Sequence, residues 1–84
     1  MKRIVEVQIP EDQVNRVAAN FIQQANLFSS YILITRDGNS VNAKSLLGFL
    51  SLGIVCGKQV ELSAEGKDAA AALDALTGIL EMRA

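Results

Sequence analysis

Ser45 is the side chain in this sequence best placed for chemistry, because it stands directly before an apolar helical run at residues 46–50. A serine there is typical of a helix N-cap, whose hydroxyl accepts a hydrogen bond from a backbone N–H of the first turn. The same position suits a phosphate, since free N–H groups and the positive end of the helix dipole favour negative charge. The residues alone leave both interpretations open, a plain capping serine and a phosphorylation site.

Composition argues against most classes of enzyme. The 84 residues include no histidine, so the commonest general base and metal ligand is missing, and the single Cys56 supplies neither a zinc site nor an internal disulfide. We therefore expect no catalytic residue, no metal and no cofactor. We expect Cys56 to be a small packed apolar side chain rather than a reactive thiol.

Charge and hydropathy narrow the partners and the compartment. A net charge of −1 argues against a basic face for nucleic acid, and no apolar segment reaches membrane-spanning length. No signal sequence precedes Lys2, and the unpaired cysteine fits a reducing environment. We therefore expect a cytoplasmic protein without direct contact to nucleic acid or membrane.

Hydrophobic periodicity predicts a single domain over residues 1–84 with the element order βαββαβα. The predicted strands cover residues 2–9, 31–36 and 39–43 and the segment that follows Lys58. Asp37-Gly38 is a tight-turn signal between the second and third strands. This order gives an α+β fold, a two-layer open-faced sandwich in which a four-stranded antiparallel sheet is covered on one face by three helices.

The ends of the three helices are predicted from capping residues. We expect Asp12 to cap the first helix, with Asn15 as the alternative, and Asn26 to end it. The second helix follows Ser45 and spans two to three turns. The third follows the turn at residues 66–68, and Gly78 within it indicates a close approach to the sheet.

The segment around Ser45 resembles the regulatory-serine segment of HPr, the small phosphocarrier of the bacterial sugar phosphotransferase system (PTS). Its residues are Asn42-Ala43-Lys44-Ser45, followed by Leu46-Leu47-Gly48 and Ser51-Leu52-Gly53. Residues 21–29, 60–69 and 72–76 resemble the first helix, the last strand and turn, and the final helix of that family. The resemblance covers the whole chain and implies the HPr fold.

The loop that carries the active site of the family is altered. Where the family reads Gly-Leu-His-Ala-Arg-Pro-Ala, this chain reads Asp12-Gln13-Val14-Asn15-Arg16-Val17-Ala18. Val14 therefore occupies the position of the phospho-histidine. Because valine has no nucleophilic or basic atom, we expect histidine phosphocarrier activity to be absent.

An HPr-like chain that lacks the histidine but keeps the serine resembles the Crh branch of the family, which acts in carbon catabolite repression. The resemblance implies that HPr kinase/phosphorylase phosphorylates Ser45 and that the protein binds a LacI-type catabolite regulator. It also implies that Leu46, Leu47 and Leu50 form an apolar docking patch, with Arg16 as a nearby basic contact. Other PTS proteins are further candidate partners.

Several alternatives remain open at this level. Leu47 and Leu50 have the spacing of core residues, although this helix has more apolar positions than one buried stripe can hold. The alternative for Arg16 is a solvated arginine on the surface of a helix. The second functional hypothesis is a phosphorylation-independent interaction or decoy module that binds a PTS component or itself. Exchange of the first strand between two copies, with residues 10–15 as the hinge, would give a homodimer.

Overall fold

The computed structural model describes residues 1–83 as an antiparallel sheet of four strands with three helices. The strands are β1 (Lys2–Glu6), β2 (Tyr31–Arg36), β3 (Asn39–Asn42) and β4 (Gln59–Glu65), and the helices are α1 (Val14–Ala25), α2 (Leu46–Ser51) and α3 (Ala69–Leu80). The strand order in the sheet is β1-β4-β2-β3. The predicted order βαββαβα and the open-faced sandwich are confirmed.

The core lies between the sheet and the helices because each strand turns alternate residues toward the helical layer. In the register of the sheet, Val5 lies opposite Val60 and Ile34 opposite Leu62. These side chains are buried together with the apolar stripes of α1 and α3. Phe21 of α1 and Phe49 of α2 meet in this core with ring centroids 4.7 Å apart.

The first strand is shorter than predicted, because β1 ends at Glu6 rather than at residue 9. Its neighbour β4 begins at Gln59, so the chain beyond Glu6 has no partner strand. Val7 instead exchanges backbone hydrogen bonds with Lys58 and Gly57, at 2.9 and 2.7 Å. Val7 and Ile9 are nevertheless fully buried, as their alternation with polar residues predicts.

Both predicted N-caps of the first helix are wrong, because Asp12 precedes the capping residue and Asn15 lies within the helix. Asp12 lies inside a 3-10 turn, Glu11–Gln13, so α1 begins at Val14 and its N-cap residue is Gln13, without a side-chain capping bond. The turn starts directly after Pro10, whose carbonyl accepts a hydrogen bond from the Gln13 N–H at 2.9 Å. The predicted end of the helix at Asn26 is confirmed.

Three further expectations were wrong. The second helix has only six residues, because Gly53 turns the chain away with a φ of 74°. Gly78 does not approach the sheet closely. A Cβ added there would meet no atom beyond its own helix backbone within 4 Å, since this glycine lies off the buried stripe of α3 through Leu76 and Leu80. Cys56 is exposed, because in the loop before β4 it is Ile54 that enters the core.

Asp68 connects α3 to the start of β2, a contact that sequence reasoning missed. It stands at the N-cap position of α3, but its carboxylate makes no capping bond there. It accepts hydrogen bonds from the backbone N–H groups of Ser29 and Ser30, at 2.8 and 3.0 Å, and from both serine hydroxyls. The Ser30 hydroxyl first, and the Ser29 N–H next, lower the pKa of Asp68 from 3.8 to about 2.

This network predicts a pH-dependent effect of Asp68→Asn on stability. Because the pKa of Asp68 is lower in the folded than in the unfolded protein, its contribution is complete above about pH 4 and is lost as the pH falls towards 2. Urea denaturation from pH 7 downward should therefore show a lower midpoint for the variant at neutral pH and a gap that closes in acid. Asp12→Asn, at an exposed carboxylate, is the control. A gap that is independent of pH would contradict the prediction.

Candidate functional site

Ser45 is the N-cap residue of α2. Its backbone is extended, with φ −107° and ψ 117°, and its Oγ accepts a hydrogen bond from the Gly48 N–H at 3.1 Å. Its carbonyl accepts the first helical bond, from the Phe49 N–H at 2.9 Å. The capping interpretation is therefore confirmed. The Ser45 side chain is half-buried, and one lone pair of its hydroxyl oxygen accepts the helical N–H.

The end of β3 positions Ser45 from one side. The Asn42 side chain accepts a hydrogen bond from the Lys44 N–H at 2.8 Å, and the Asn42 carbonyl accepts one from the Ser45 N–H at 3.1 Å. Between them, Ala43 is fully buried and donates its N–H to the Ile32 carbonyl at 3.0 Å. The turn into α2 is thus continuous with the hydrogen bonding of the sheet.

The end of α1 holds the same turn from the other side. The Asn26 side-chain amide donates to the Ile22 carbonyl in its own helix at 2.8 Å and to the Lys44 carbonyl at 3.2 Å. The Lys44 ammonium in turn donates to the Phe28 carbonyl at 2.7 Å. Sequence reasoning found Asn26 as the end of a helix but carried no signal for a partner 18 residues away.

Three leucines of α2 form an exposed apolar surface, which we name the leucine patch: Leu46 is 43%, Leu47 79% and Leu50 41% exposed. Phe49, on the side of the helix that faces the core, is fully buried. The inference that some apolar residues of this helix must be exposed is confirmed, and the alternative that Leu47 and Leu50 are core residues is wrong. Their role in binding a partner stays a prediction.

Arg36 fixes the other end of α2. Its guanidinium donates hydrogen bonds to the carbonyls of Leu52 and Gly53, which follow the last turn of the helix. Carbonyl groups at a helix end carry partial negative charge, so a cation is favourable there. The short helix that carries the leucine patch is therefore held at both ends by side chains, Ser45 at its start and Arg36 at its finish.

Arg16 lies on a different element from Ser45 and the leucine patch. It is an exposed residue in the first turn of α1 and donates to Gln13 Oε1 at 2.7 Å. Its side chain lines a groove of about 330 Å³ whose other wall includes Ile79, Met82 and Arg83 at the end of α3. Among the described hydrogen bonds, none joins Arg16 to Ser45 or to α2. The structure therefore brings Ser45 and the leucines together and leaves Arg16 on the neighbouring helix.

The side chain that aligns with the phospho-histidine of the HPr family has no atom that can accept a phosphoryl group, because it is a valine. Val14, the first residue of α1, is half-buried and packs against the apolar core. Within residues 1–83, no three His, Cys, Asp or Glu side chains are grouped so that they could hold a metal ion. No helix in that range is long and apolar enough to cross a membrane.

The family model described as the PTS HPr component phosphorylation site matches residues 1–82. The chain belongs to the HPr family. It is 42% identical over 81 residues to the HPr-like protein Crh of Halalkalibacterium halodurans, with 96% of each chain covered. The similarity therefore extends over nearly the full length of both proteins.

Solved structures of the HPr family agree with the fold. HPr-C-His of Thermoanaerobacter tengcongensis superposes with a TM-score of 0.90 at 41% identity, over 96% of this chain and 91% of that one. Crh of Bacillus subtilis, reported as a dimer with a swapped domain, superposes with a TM-score of 0.80 at 35% identity, over 95% and 87% of the two chains. This chain is thus a Crh-like member of the HPr family, a family whose phosphocarriers and regulators are generally not enzymes.

Proposed function

We propose that this protein is a cytoplasmic regulatory member of the HPr family, without carrier or enzyme activity, that HPr kinase/phosphorylase phosphorylates on Ser45. In the phosphorylated form it binds a LacI-type regulator in carbon catabolite control. The observation that carries the proposal is the position of the Ser45 hydroxyl directly beside the exposed leucine patch. The similarity to Crh proteins supports it, and Val14 leaves no acceptor where the family has its phospho-histidine.

Phosphorylation would use the Ser45 hydroxyl as nucleophile. The oxygen attacks the γ-phosphorus of ATP, the new O–P bond forms as the bond to the β,γ-bridging oxygen breaks, ADP leaves, and the hydroxyl proton passes to a base of the kinase. The ester oxygen that remains on Ser45 can still accept the Gly48 N–H. The fold therefore stays as it is, and the surface gains close to two negative charges.

Partner recognition would combine that charge with the leucine patch. Large exposed apolar side chains beside a charged group are typical of a docking surface, where the apolar contact supplies affinity and the charge supplies the switch. A phosphate is recognised best by arginine on the partner, since the guanidinium makes paired charge-assisted bonds. Arg16 of this chain, on the neighbouring helix, would contact an acidic group of the same partner.

The proposal predicts a single phosphate on Ser45. Intact mass after incubation with HPr kinase and ATP should rise by about 80 Da, the mass of one phosphoryl group, in the parent and not in Ser45→Ala. Ser51→Ala is the matched control, because Ser51 is an exposed serine of the same helix. No gain of mass, with a genuine HPr phosphorylated in the same tube, would overturn the proposal for that kinase.

The binding arm of the same experiment uses the LacI-type regulator. The phosphorylated parent should bind it, and Leu47→Ala should weaken binding about tenfold, the typical loss for a central apolar contact. Leu27→Ala is the control, since Leu27 is 72% exposed but lies in the turn that follows α1. Equal binding of both leucine variants would remove the leucine patch from the proposal.

A second candidate function is phosphorylation-independent binding to a PTS component or to a second copy. The observation that favours it is the position of β1 at the edge of the sheet, paired with β4 and joined to α1 through the turn at Glu11–Gln13. A protein of this fold, Crh of Bacillus subtilis, is reported as a swapped dimer. Light scattering coupled to size exclusion would test it: a dimer that takes no phosphate supports this candidate, and a monomer that takes phosphate contradicts it.

A further inference from the structure

The peptide group that joins Lys44 to Ser45 is hydrogen-bonded at both its ends. Its carbonyl oxygen, on Lys44, accepts from the Asn26 side chain at 3.2 Å. Its N–H, on Ser45, donates to the Asn42 carbonyl at 3.1 Å. Two bonds to opposite edges of a planar unit oppose its rotation, and the Cα–Cβ bond of Ser45 starts from that unit. The orientation of the Ser45 side chain is therefore set partly by the end of α1.

Asn26 is well placed to hold this orientation. Its amide group is shared between the Ile22 carbonyl, in the last turn of α1, and the Lys44 carbonyl. The bond to Ile22 keeps the side chain in place on its own helix, so the bond to Lys44 transmits the position of α1 to the turn. Lys44 reinforces the contact with its ammonium on the Phe28 carbonyl at 2.7 Å.

We propose that Asn26 is a positioning residue for the phosphorylation of Ser45, an inference that depends on the proposed function. Phosphoryl transfer requires the attacking oxygen in line with the leaving oxygen, so its rate is sensitive to small rotations of the nucleophile. Without the Asn26 amide the peptide before Ser45 turns more freely, and the hydroxyl spends less time in the reactive orientation. Docking of the kinase, which would use the exposed leucine patch, is unaffected.

The test compares Asn26→Ala with Gln23→Ala, a change at an exposed amide three residues earlier on α1. With HPr kinase and ATP, we expect kcat for Asn26→Ala to fall about tenfold and KM to change less than about twofold. Gln23→Ala should match the parent in both. Circular dichroism checks that both variants are folded at the temperature of the assay. Under that condition, a substitution that only destabilises the fold does not lower kcat while leaving KM nearly unchanged.

Amide hydrogen exchange provides a readout without the kinase. Exchange of the Ser45 N–H should be about tenfold faster in Asn26→Ala than in the parent, and unchanged in Gln23→Ala. If the kinase phosphorylates the parent and Asn26→Ala at the same rate, this inference is overturned and the proposed function is not. A parent that takes no phosphate from the kinase would overturn the proposed function and this inference with it, whatever the exchange rates.

Discussion

Phe49→Ala is expected to lower the free energy of unfolding by about 3–5 kcal/mol, the usual cost of truncating a buried aromatic side chain to alanine. Phe49 is fully buried and packs on Phe21 with ring centroids 4.7 Å apart. It is the buried side chain of a helix of only six residues, and a helix of that length has little stability of its own. The loss of this contact should therefore detach α2 as well as leave a cavity.

Urea denaturation of Phe49→Ala and Leu47→Ala measures this effect. Leu47 is 79% exposed on the same helix, so its truncation should change stability by less than about 0.5 kcal/mol. Phe49→Leu, which fills part of the space, should cost about 1–1.5 kcal/mol and keeps the comparison valid if the alanine variant is largely unfolded. Equal losses in Leu47→Ala and Phe49→Ala would contradict the structure.

Gly66→Ala is expected to cost about 3 kcal/mol, from two causes that each contribute about 1–3 kcal/mol. Gly66 has a φ of 146°, a conformation that residues with a Cβ rarely adopt. An added Cβ would also lie 2.6 Å from Ser30 Oγ and 2.8 Å from Ser30 Cα. Ser30 is fully buried and bonded to Asp68, so it cannot move aside without breaking that network.

Gly78→Ala is the matched control for this substitution. Gly78 lies within α3 and has open space where a Cβ would be, so alanine should stabilise the protein by about 0.5–1 kcal/mol. The two glycine variants should therefore shift the urea midpoint in opposite directions. A Gly66→Ala variant as stable as the parent would show that Ser30 and the turn before α3 can rearrange.

The element order was predictable because each element carries its own local pattern. Alternation in the strands and the apolar stripe of α1 each follow from the geometry of a single segment. The turn at Asp37-Gly38, where φ is 51° and 80°, follows from the conformational freedom of its residues. The limits of β1 and α1 were less predictable, since they depend on where β4 begins and on the turn after Pro10.

The contacts that hold distant segments together were not predictable from local rules. An aspartate before a helix satisfies the N-cap rule, and nothing near Asp68 in the sequence indicates that its carboxylate binds Ser29 and Ser30 instead. Cys56 and Gly78 were misjudged for a related reason. Residue type and position along a helix or loop do not say which side chains face solvent when several neighbouring residues are small or apolar.

The sequence by itself determined the HPr-like fold, the absence of a histidine acceptor, and Ser45 as the residue that begins a helix, because these depend on residue identity and local spacing. Only the tertiary structure decided which face of α2 is exposed and what orients Ser45. The leucine patch is exposed because Phe49 packs on Phe21, and the peptide before Ser45 is held because the end of α1 reaches it through Asn26. Both depend on how α1 and α2 pack, which joins residues far apart in the chain.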